Sequence, residues 1–137
     1  MQKNILTQLS HLVILKQRRH EIELRSLENQ KQDLILDLQK KTMQIDKICD
    51  NKREYREYVR INLFKTIISN FEVEAMHYKI NKFESELLRL YDEQEIIKEN
   101  INNIETEMIN VNKRRQVCLI KEEKYNHLLK LVRNPRK

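Results

Sequence analysis

The chain has 137 residues, which is room for one domain, and its composition excludes most compact globular folds. It contains no Gly, no Trp and a single Pro, Pro135, whereas 35% of its residues are charged. Tight turns draw heavily on Gly and Pro, so this chain is expected to run straight for long distances. Its many Lys, Glu, Leu, Ile, Gln and Arg residues are typical of long helices and coiled coils.

The same composition argues against an enzyme. A phosphate-binding loop needs glycines, and no GxSxG, HExxH or Cys–His arrangement occurs in the sequence. Two packed helices also provide no concave pocket that excludes water, which catalysis needs. We therefore expect no catalytic, cofactor-binding or metal-binding residues and no small-molecule substrate.

The cysteines and the apolar runs indicate a cytoplasmic protein. Cys49 and Cys118 lie far apart, with no histidine at ligand spacing, and two free thiols are typical of a reducing compartment. The longest apolar run near the N-terminus, residues 12–15, is too short for a signal peptide. No stretch approaches the roughly 20 apolar residues that span a bilayer, so direct membrane insertion is not expected.

The first predicted element is a helical arm over about 3–65, whose apolar residues recur at alternating steps of three and four. The apolar positions of this seam are Leu24, Leu27, Leu34, Leu38, Ile45, Ile48, Tyr55 and Val59. Its polar positions are His20, Lys31, Lys41 and Lys52. A lysine can lay its stem along a seam and place its ammonium in water, so these residues are compatible with one helix.

The chain is expected to reverse direction at about 66–70. Ser69 and Glu72 fit a capping box, in which each side chain satisfies a free backbone donor of the other. The β-branched run 66–68 is a weak helix end. A weaker start signal, Asn51 with Glu54, leaves the alternative of a break near residue 50 and a short extra helix over 52–65 at the tip.

The second arm, about 70–133, carries the cleaner seam, which is roughly 90 Å long at 1.5 Å per residue. Its apolar positions are Val73, Met76, Ile80, Phe83, Leu87, Leu90, Ile97, Ile101, Ile104, Met108, Val111, Cys118, Tyr125, Leu129 and Val132. Gln94, Arg115 and Glu122 interrupt it. The arm is expected to end before Pro135, because the residue before a proline is pushed out of the helical region.

The two arms predict an all-α fold, a single domain over 1–137 that forms a long antiparallel two-helix coiled-coil hairpin. One continuous helix that dimerises in parallel is the alternative, and the cap at the midpoint favours the hairpin. If the numbers of facing residues add up to about 138, Lys16 lies opposite Glu122 and Glu23 opposite Arg115, which would pair the charges within the seams.

Positive charge is concentrated towards both ends of the sequence, which a hairpin brings together. Residues 1–20 carry four basic residues and no acid, and residues 113–137 carry nine basic residues and two acids. Solvated helix faces, docking on an acidic protein surface and nucleic-acid binding are the three interpretations. The last is the least favoured, since apolar residues interleave with the basic ones and no basic region precedes the heptads.

Apolar side chains also crowd around the predicted turn. Six of the eight aromatic residues fall between 55 and 83, and the apolar residues near the turn cover more of the helix than one seam can bury. The latter are Ile61, Leu63, Phe64, Ile67, Ile68 and Phe71. They would form either a small local core or an exposed apolar contact patch.

Segments near both ends resemble the FliJ/YscO family, the central stalk proteins of flagellar and virulence type III secretion systems. The first is 6–9 followed by 13–19, and the second is the basic, Lys-Glu and Tyr-containing segment 114–125. Length and architecture agree over the whole chain, and the residue match covers about a third of it.

The resemblance implies a non-enzymatic stalk at the cytoplasmic face of a secretion apparatus. In this family the terminal helices sit in the central hole of a hexameric secretion ATPase, the turn end reaches the membrane export gate protein, and some members handle export chaperones. The residues implied to dock on the ATPase are Leu9, Arg18, Arg19, Arg114, Arg115, Lys121 and Lys124; those implied to contact the gate or a chaperone are Phe64, Ile68 and Phe71. A generic coiled-coil scaffold or chaperone and a basic coiled coil that binds nucleic acid are the alternatives.

Overall fold

A computed structural model describes residues 2–62 and 69–133 of the chain. These ranges contain two long α-helices and no strand: α1 spans Gln2–Asn62 and α2 spans Asn70–Arg133. The two helices pack against each other, so the predicted fold class, an all-α helical hairpin, is confirmed.

The chain divides into two compact units. The terminal unit comprises Met1–Gln32 with Asn102–Lys137, and the central unit comprises Asp33–Ile101. Each unit therefore contains one segment of α1 and one segment of α2. Within each unit the two segments are antiparallel, because residues further along α1 lie beside residues earlier in α2.

The predicted seams are the buried faces of both helices. All eight apolar seam positions of α1 are buried or half-buried, and so are those of α2 except Val132, which is 37% exposed. The polar seam positions are half-buried as well. The seam prediction is thus confirmed for all but its last position, since the three-four periodicity follows directly from 3.6 residues per helical turn.

The core is only one side chain deep in each unit. In the central unit Ile45, Leu87 and Leu90 form a buried cluster, against which Ile48 and Cys49 pack. In the terminal unit the buried apolar residues are Val13, Leu27, Val111 and Cys118. Leu90 and Val111, at 2% and 1% exposed, are the most completely enclosed side chains of the described chain.

Each of the three seam lysines forms an ion pair with a glutamate of the other helix. The Lys31 ammonium lies 3.4 Å from a carboxylate oxygen of Glu105. The Lys41 ammonium lies 2.9 Å from Glu93, and the Lys52 ammonium lies 3.5 Å from Glu84. The sequence predicted that these ammonium groups reach water. The structure places each one beside a carboxylate and leaves the three lysine side chains 20–26% exposed.

The ion pairs define a register that differs slightly from the expected one. The residue numbers of the three pairs add up to 136, 134 and 136, rather than about 138. The seam residue Gln94 donates a hydrogen bond to Thr42 Oγ1 at 3.0 Å, in the same register. The expected ion pairs, Lys16 with Glu122 and Glu23 with Arg115, do not form between these described residues.

The start of α2 follows the predicted cap. Ser69 Oγ accepts a hydrogen bond from the backbone N–H of Glu72 at 3.2 Å, and the Ser69 carbonyl accepts one from Val73 at 3.1 Å. The alternative of a break near residue 50 is wrong, because α1 continues through Asn51 while Ile48 and Tyr55 stay on the seam. Residues 63–68, which include most of the predicted turn, lie outside the described ranges.

Candidate functional site

The terminal unit carries positive charge that its own carboxylates do not neutralise. Its described part contains thirteen Lys and Arg residues and seven acidic residues. Only one of those thirteen, Lys31, lies within 4.0 Å of a carboxylate of the described chain. The other cations of this unit are Lys3, Lys16, Arg18, Arg19, Arg25, Lys113, Arg114, Arg115, Lys121, Lys124, Lys130 and Arg133.

The central unit differs in this respect. Six of its eleven described Lys and Arg residues form ion pairs, and its acidic residues outnumber its basic ones. The paired residues are Lys41, Lys52, Arg53, Arg60, Arg89 and Lys98. Unpaired cations are therefore more numerous in the terminal unit, which is also the unit in which basic residues outnumber acidic ones.

Several of the unpaired cations line one groove between the helices of the terminal unit. This basic groove has a volume of about 310 Å³. It is lined by Lys16 and His20 of α1 and by Lys113, Arg114, Val117, Cys118 and Lys121 of α2. No acidic side chain of the described residues lines it. The groove is thus lined by cationic side chains and by two apolar ones, Val117 and Cys118, which are called its apolar floor below.

Helical spacing explains how the basic groove arises. Lys113, Val117 and Lys121 follow one another at steps of four, so they form a single row along α2. Lys16 and His20 are also four residues apart, on the side of α1 that faces this row. Val117 is 51% exposed and Cys118 is buried, so the apolar floor is open to a contact from outside.

Two polar seam residues of the terminal unit have nitrogen atoms without a partner. His20 Nδ1 and Arg115 Nε are buried, and neither makes a hydrogen bond to a described protein atom. The nearest carboxylate oxygen to His20 Nδ1, that of Glu23, is 4.0 Å away. His20 of the basic groove and the neighbouring seam residue Arg115 therefore each have a nitrogen atom that no acceptor of the described chain satisfies.

All seven predicted ATPase-docking residues belong to the terminal unit, but only two of them, Arg114 and Lys121, line the basic groove. Arg18 and Arg19 line a separate groove of about 770 Å³ with Leu15 and Ile22. Leu9 and Arg115 are half-buried, whereas Lys124 is exposed.

Lys16 and Lys113 belong to the basic end segments identified in the sequence, 1–20 and 113–137, but neither they nor His20 were among the predicted docking residues. The four-residue steps that place Lys113 and Lys121 in one row could have been found in the sequence. The expected register, with facing residue numbers that add up to about 138, already brings Lys16 and His20 close to this row, and the structure shows which of the side chains line the groove.

The beginning of α1 and the end of α2 lie together in the terminal unit. Ile5 and Leu6 line a groove of about 290 Å³ with Leu128, Leu131 and Val132. Ile5 and Leu131 are exposed at 56% and 46%. Apolar and cationic side chains from both ends of the chain are therefore available for contacts in the same unit.

The aromatic residues near the predicted turn divide into two groups. Tyr55 and Phe83 lie on the seam with ring centroids 6.1 Å apart, and the Lys79 ammonium lies 4.5 Å above the Tyr55 ring. Phe71 and Tyr78 are instead 79% and 72% exposed. The described residues thus include both a local aromatic contact and exposed rings. The other two predicted contact residues, Phe64 and Ile68, lie outside the described ranges.

No group of three or more His, Cys, Asp and Glu residues in 2–62 and 69–133 is arranged to hold a metal ion, and Cys49 and Cys118 are free thiols. Neither α1 nor α2 contains a stretch that is long and apolar enough to cross a membrane. In comparisons with known proteins, no family model, no curated protein and no solved structure matches this chain.

Proposed function

We propose that this protein is a non-enzymatic stalk of a type III secretion system, which links the hexameric export ATPase to the membrane export gate. The observation that carries the proposal is the set of exposed, unpaired cations in the terminal unit. The resemblance of both end segments to the FliJ/YscO family supplies the identity of the partners. A cytoplasmic location follows from the proposal.

The unpaired cations support docking because they are costly for the free protein. Like charges on neighbouring helical turns repel one another, and the net charge of a compact unit destabilises it through self-repulsion. An acidic partner surface removes this repulsion and steers the encounter between the two proteins. In the proposed complex that surface belongs to the ATPase.

The exposed Phe71 supports a second contact. Phe71 is 79% exposed, so a partner that covers this large aromatic side chain is bound more tightly. Aromatic residues are also enriched at binding hot spots. We assign this contact to the export gate or to an export chaperone. Phe71 lies in the first turn of α2, next to the predicted reversal of the chain.

The ATPase contact is tested by reversing charge at exposed positions. Arg18, Arg19, Arg114 and Lys124 are all exposed, so their replacement by Glu leaves the seam intact. The matched control replaces Lys40, Lys47, Arg56 and Lys82 by Glu, which are exposed residues of the central unit. Both variants change the net charge equally. The measurement is co-purification with the hexameric export ATPase, with circular dichroism to verify the helix content.

We expect the terminal-unit variant to lose the ATPase while the central-unit variant retains it. Equal retention by both variants, or equal loss from both, would contradict docking through the terminal unit. Salt-dependent binding of duplex DNA in place of the ATPase would favour the nucleic-acid alternative. Capture of unrelated proteins with no preference for the ATPase would favour a generic scaffold.

The second contact is tested with Phe71→Ala, which removes an exposed ring without creating a cavity. We expect weaker binding to the cytoplasmic part of the export gate or to a chaperone, with unchanged thermal stability. Tyr78→Ala, which removes another exposed ring of α2, is the matched control. If both variants bind both candidate partners as the native protein does, Phe71 has no role in docking.

A further inference from the structure

The basic groove has the chemistry of a receptor for one face of an acidic helix. Its row on α2 alternates cation, apolar residue and cation at Lys113, Val117 and Lys121. We infer that the groove binds an acidic helix of a partner protein, whose carboxylates pair with the two lysines while an apolar side chain between them covers Val117. The inference rests on the proposed docking function and names the chemistry of the docked segment.

The spacing of the row fits a helix of the partner. Eight residues separate Lys113 from Lys121, which is about 12 Å along α2. Carboxylates seven or eight residues apart on a partner helix span a similar distance and lie on the same face. An apolar residue midway, three or four positions from each carboxylate, then lies above Val117. Lys16 and Arg114 line the same groove and add positive charge around this row.

The apolar floor distinguishes a protein partner from a nucleic acid. A phosphate backbone presents charge at short, regular intervals and would place polar groups over the half-exposed Val117. An apolar side chain at this position instead stabilises the complex by burying apolar surface, and it excludes water from the ion pairs on either side. The alternation of charge and apolar surface therefore favours a protein helix over DNA or RNA.

A pair of designed peptides tests the inference on the full chain. The probe peptide is a capped helical peptide with Glu, Leu and Glu in one row at steps of four. The control peptide has the same composition, with the Leu moved to the opposite face of the helix. Binding is measured by fluorescence anisotropy at low and at physiological salt. We expect the probe peptide to bind at least about tenfold more tightly than the control peptide, and more weakly as salt increases.

Matched variants locate the binding to the groove. Lys113→Glu with Lys121→Glu reverses two exposed groove residues, and Lys130→Glu with Arg133→Glu reverses two exposed residues of the same helix and unit outside the groove. The first variant is expected to weaken binding of the probe peptide by about tenfold or more, and the second by much less. Val117→Thr, which keeps the shape of the side chain, should weaken binding severalfold.

The outcomes separate this inference from the proposed function. Equal binding of both peptides, equal effects of both double variants, or tighter binding of a duplex DNA of similar length would overturn the inference. If the ATPase still depends on Arg18, Arg19, Arg114 and Lys124 in that case, the stalk function stands with a different contact. If the probe peptide binds as expected and the ATPase does not bind, the groove serves another acidic partner and the stalk function fails.

Discussion

The ammonium of Lys41 on α1 lies 2.9 Å from one carboxylate oxygen of Glu93 on α2, so this ion pair joins the two helices across the seam of the central unit. The other oxygen of Glu93 accepts a hydrogen bond from Arg89, one turn earlier on α2, also at 2.9 Å. The neighbouring Lys41 ammonium is the largest cause that lowers the pKa of the Glu93 carboxyl from its ordinary value; Arg89 adds a smaller effect in the same direction, and desolvation acts in the opposite direction.

This lowered pKa predicts an acid-dependent stability. A carboxyl whose folded-state pKa is below its unfolded value stabilises the fold above the unfolded pKa, and this contribution is lost as pH falls through the folded pKa. Denaturation of the native protein should therefore become easier below about pH 4.5. Glu93→Gln should be less stable at neutral pH and should lose less stability on acidification.

The measurement is urea denaturation, followed by circular dichroism, at a series of pH values from neutral to strongly acidic. Glu99→Gln is the matched control, because Glu99 is exposed and forms no ion pair with the described residues. If Glu93→Gln shows the same pH dependence as the native protein, the carboxylate is not coupled to folding.

Leu90 should be a strong determinant of stability, because it is 2% exposed and belongs to the buried cluster of the central unit. Leu90→Ala is expected to lower the free energy of unfolding by about 2–4 kcal/mol, through lost burial and the cavity that remains. The control is Leu88→Ala, since Leu88 is 64% exposed and its loss should cost no more than about 0.5 kcal/mol. Similar values for both variants in urea titrations would contradict the assigned seam.

Ser69 should stabilise the beginning of α2, since its hydroxyl oxygen accepts the backbone N–H of Glu72. Ser69→Ala removes this acceptor and should lower the free energy of unfolding by about 1 kcal/mol. Ser85→Ala, within α2 and exposed, should be neutral or stabilising because Ala has the higher helix propensity. The two variants are compared by thermal denaturation. An unchanged melting temperature for Ser69→Ala would show that the cap does not contribute.

The three seam lysines should define register more than they stabilise the fold. Replacement of Lys31, Lys41 and Lys52 by Leu extends the apolar seam, and exchanges of this kind are often neutral or stabilising. We expect the free energy of unfolding to be unchanged within about 1 kcal/mol, or to increase. The register should become less unique, because polar residues at seam positions select one alignment of the helices.

Spin labels at Gln44 and Asp92, which are exposed and belong to the same unit, measure this effect. The distance distribution should be narrow in the native background and broader in the triple variant. The control variant places Leu at the exposed Lys40, Lys47 and Lys82 and should keep the narrow distribution. If the triple variant is strongly destabilised but its distance distribution is unchanged, the seam lysines stabilise the fold and do not select the register.

Local chemistry made the elements predictable from sequence. The three-four spacing identified Leu90 and Val111 as seam positions, and both are almost fully enclosed. Ser69 could be assigned as a cap because its partner, Glu72, is only three residues away. The weaker signal at Asn51 failed, since a single start signal does not interrupt a helix whose seam continues on both sides of it.

The sequence by itself therefore determined that the chain forms two long helices and which face of each is buried, because both follow from contacts within a few residues. Only the tertiary structure decided which side chains meet across the seam. Each seam lysine meets a glutamate of the other helix in a register about two positions from the expected one, and Lys16 lines the basic groove together with Lys121. Periodicity fixes the face of a helix, whereas register is fixed by contacts between residues far apart in the chain.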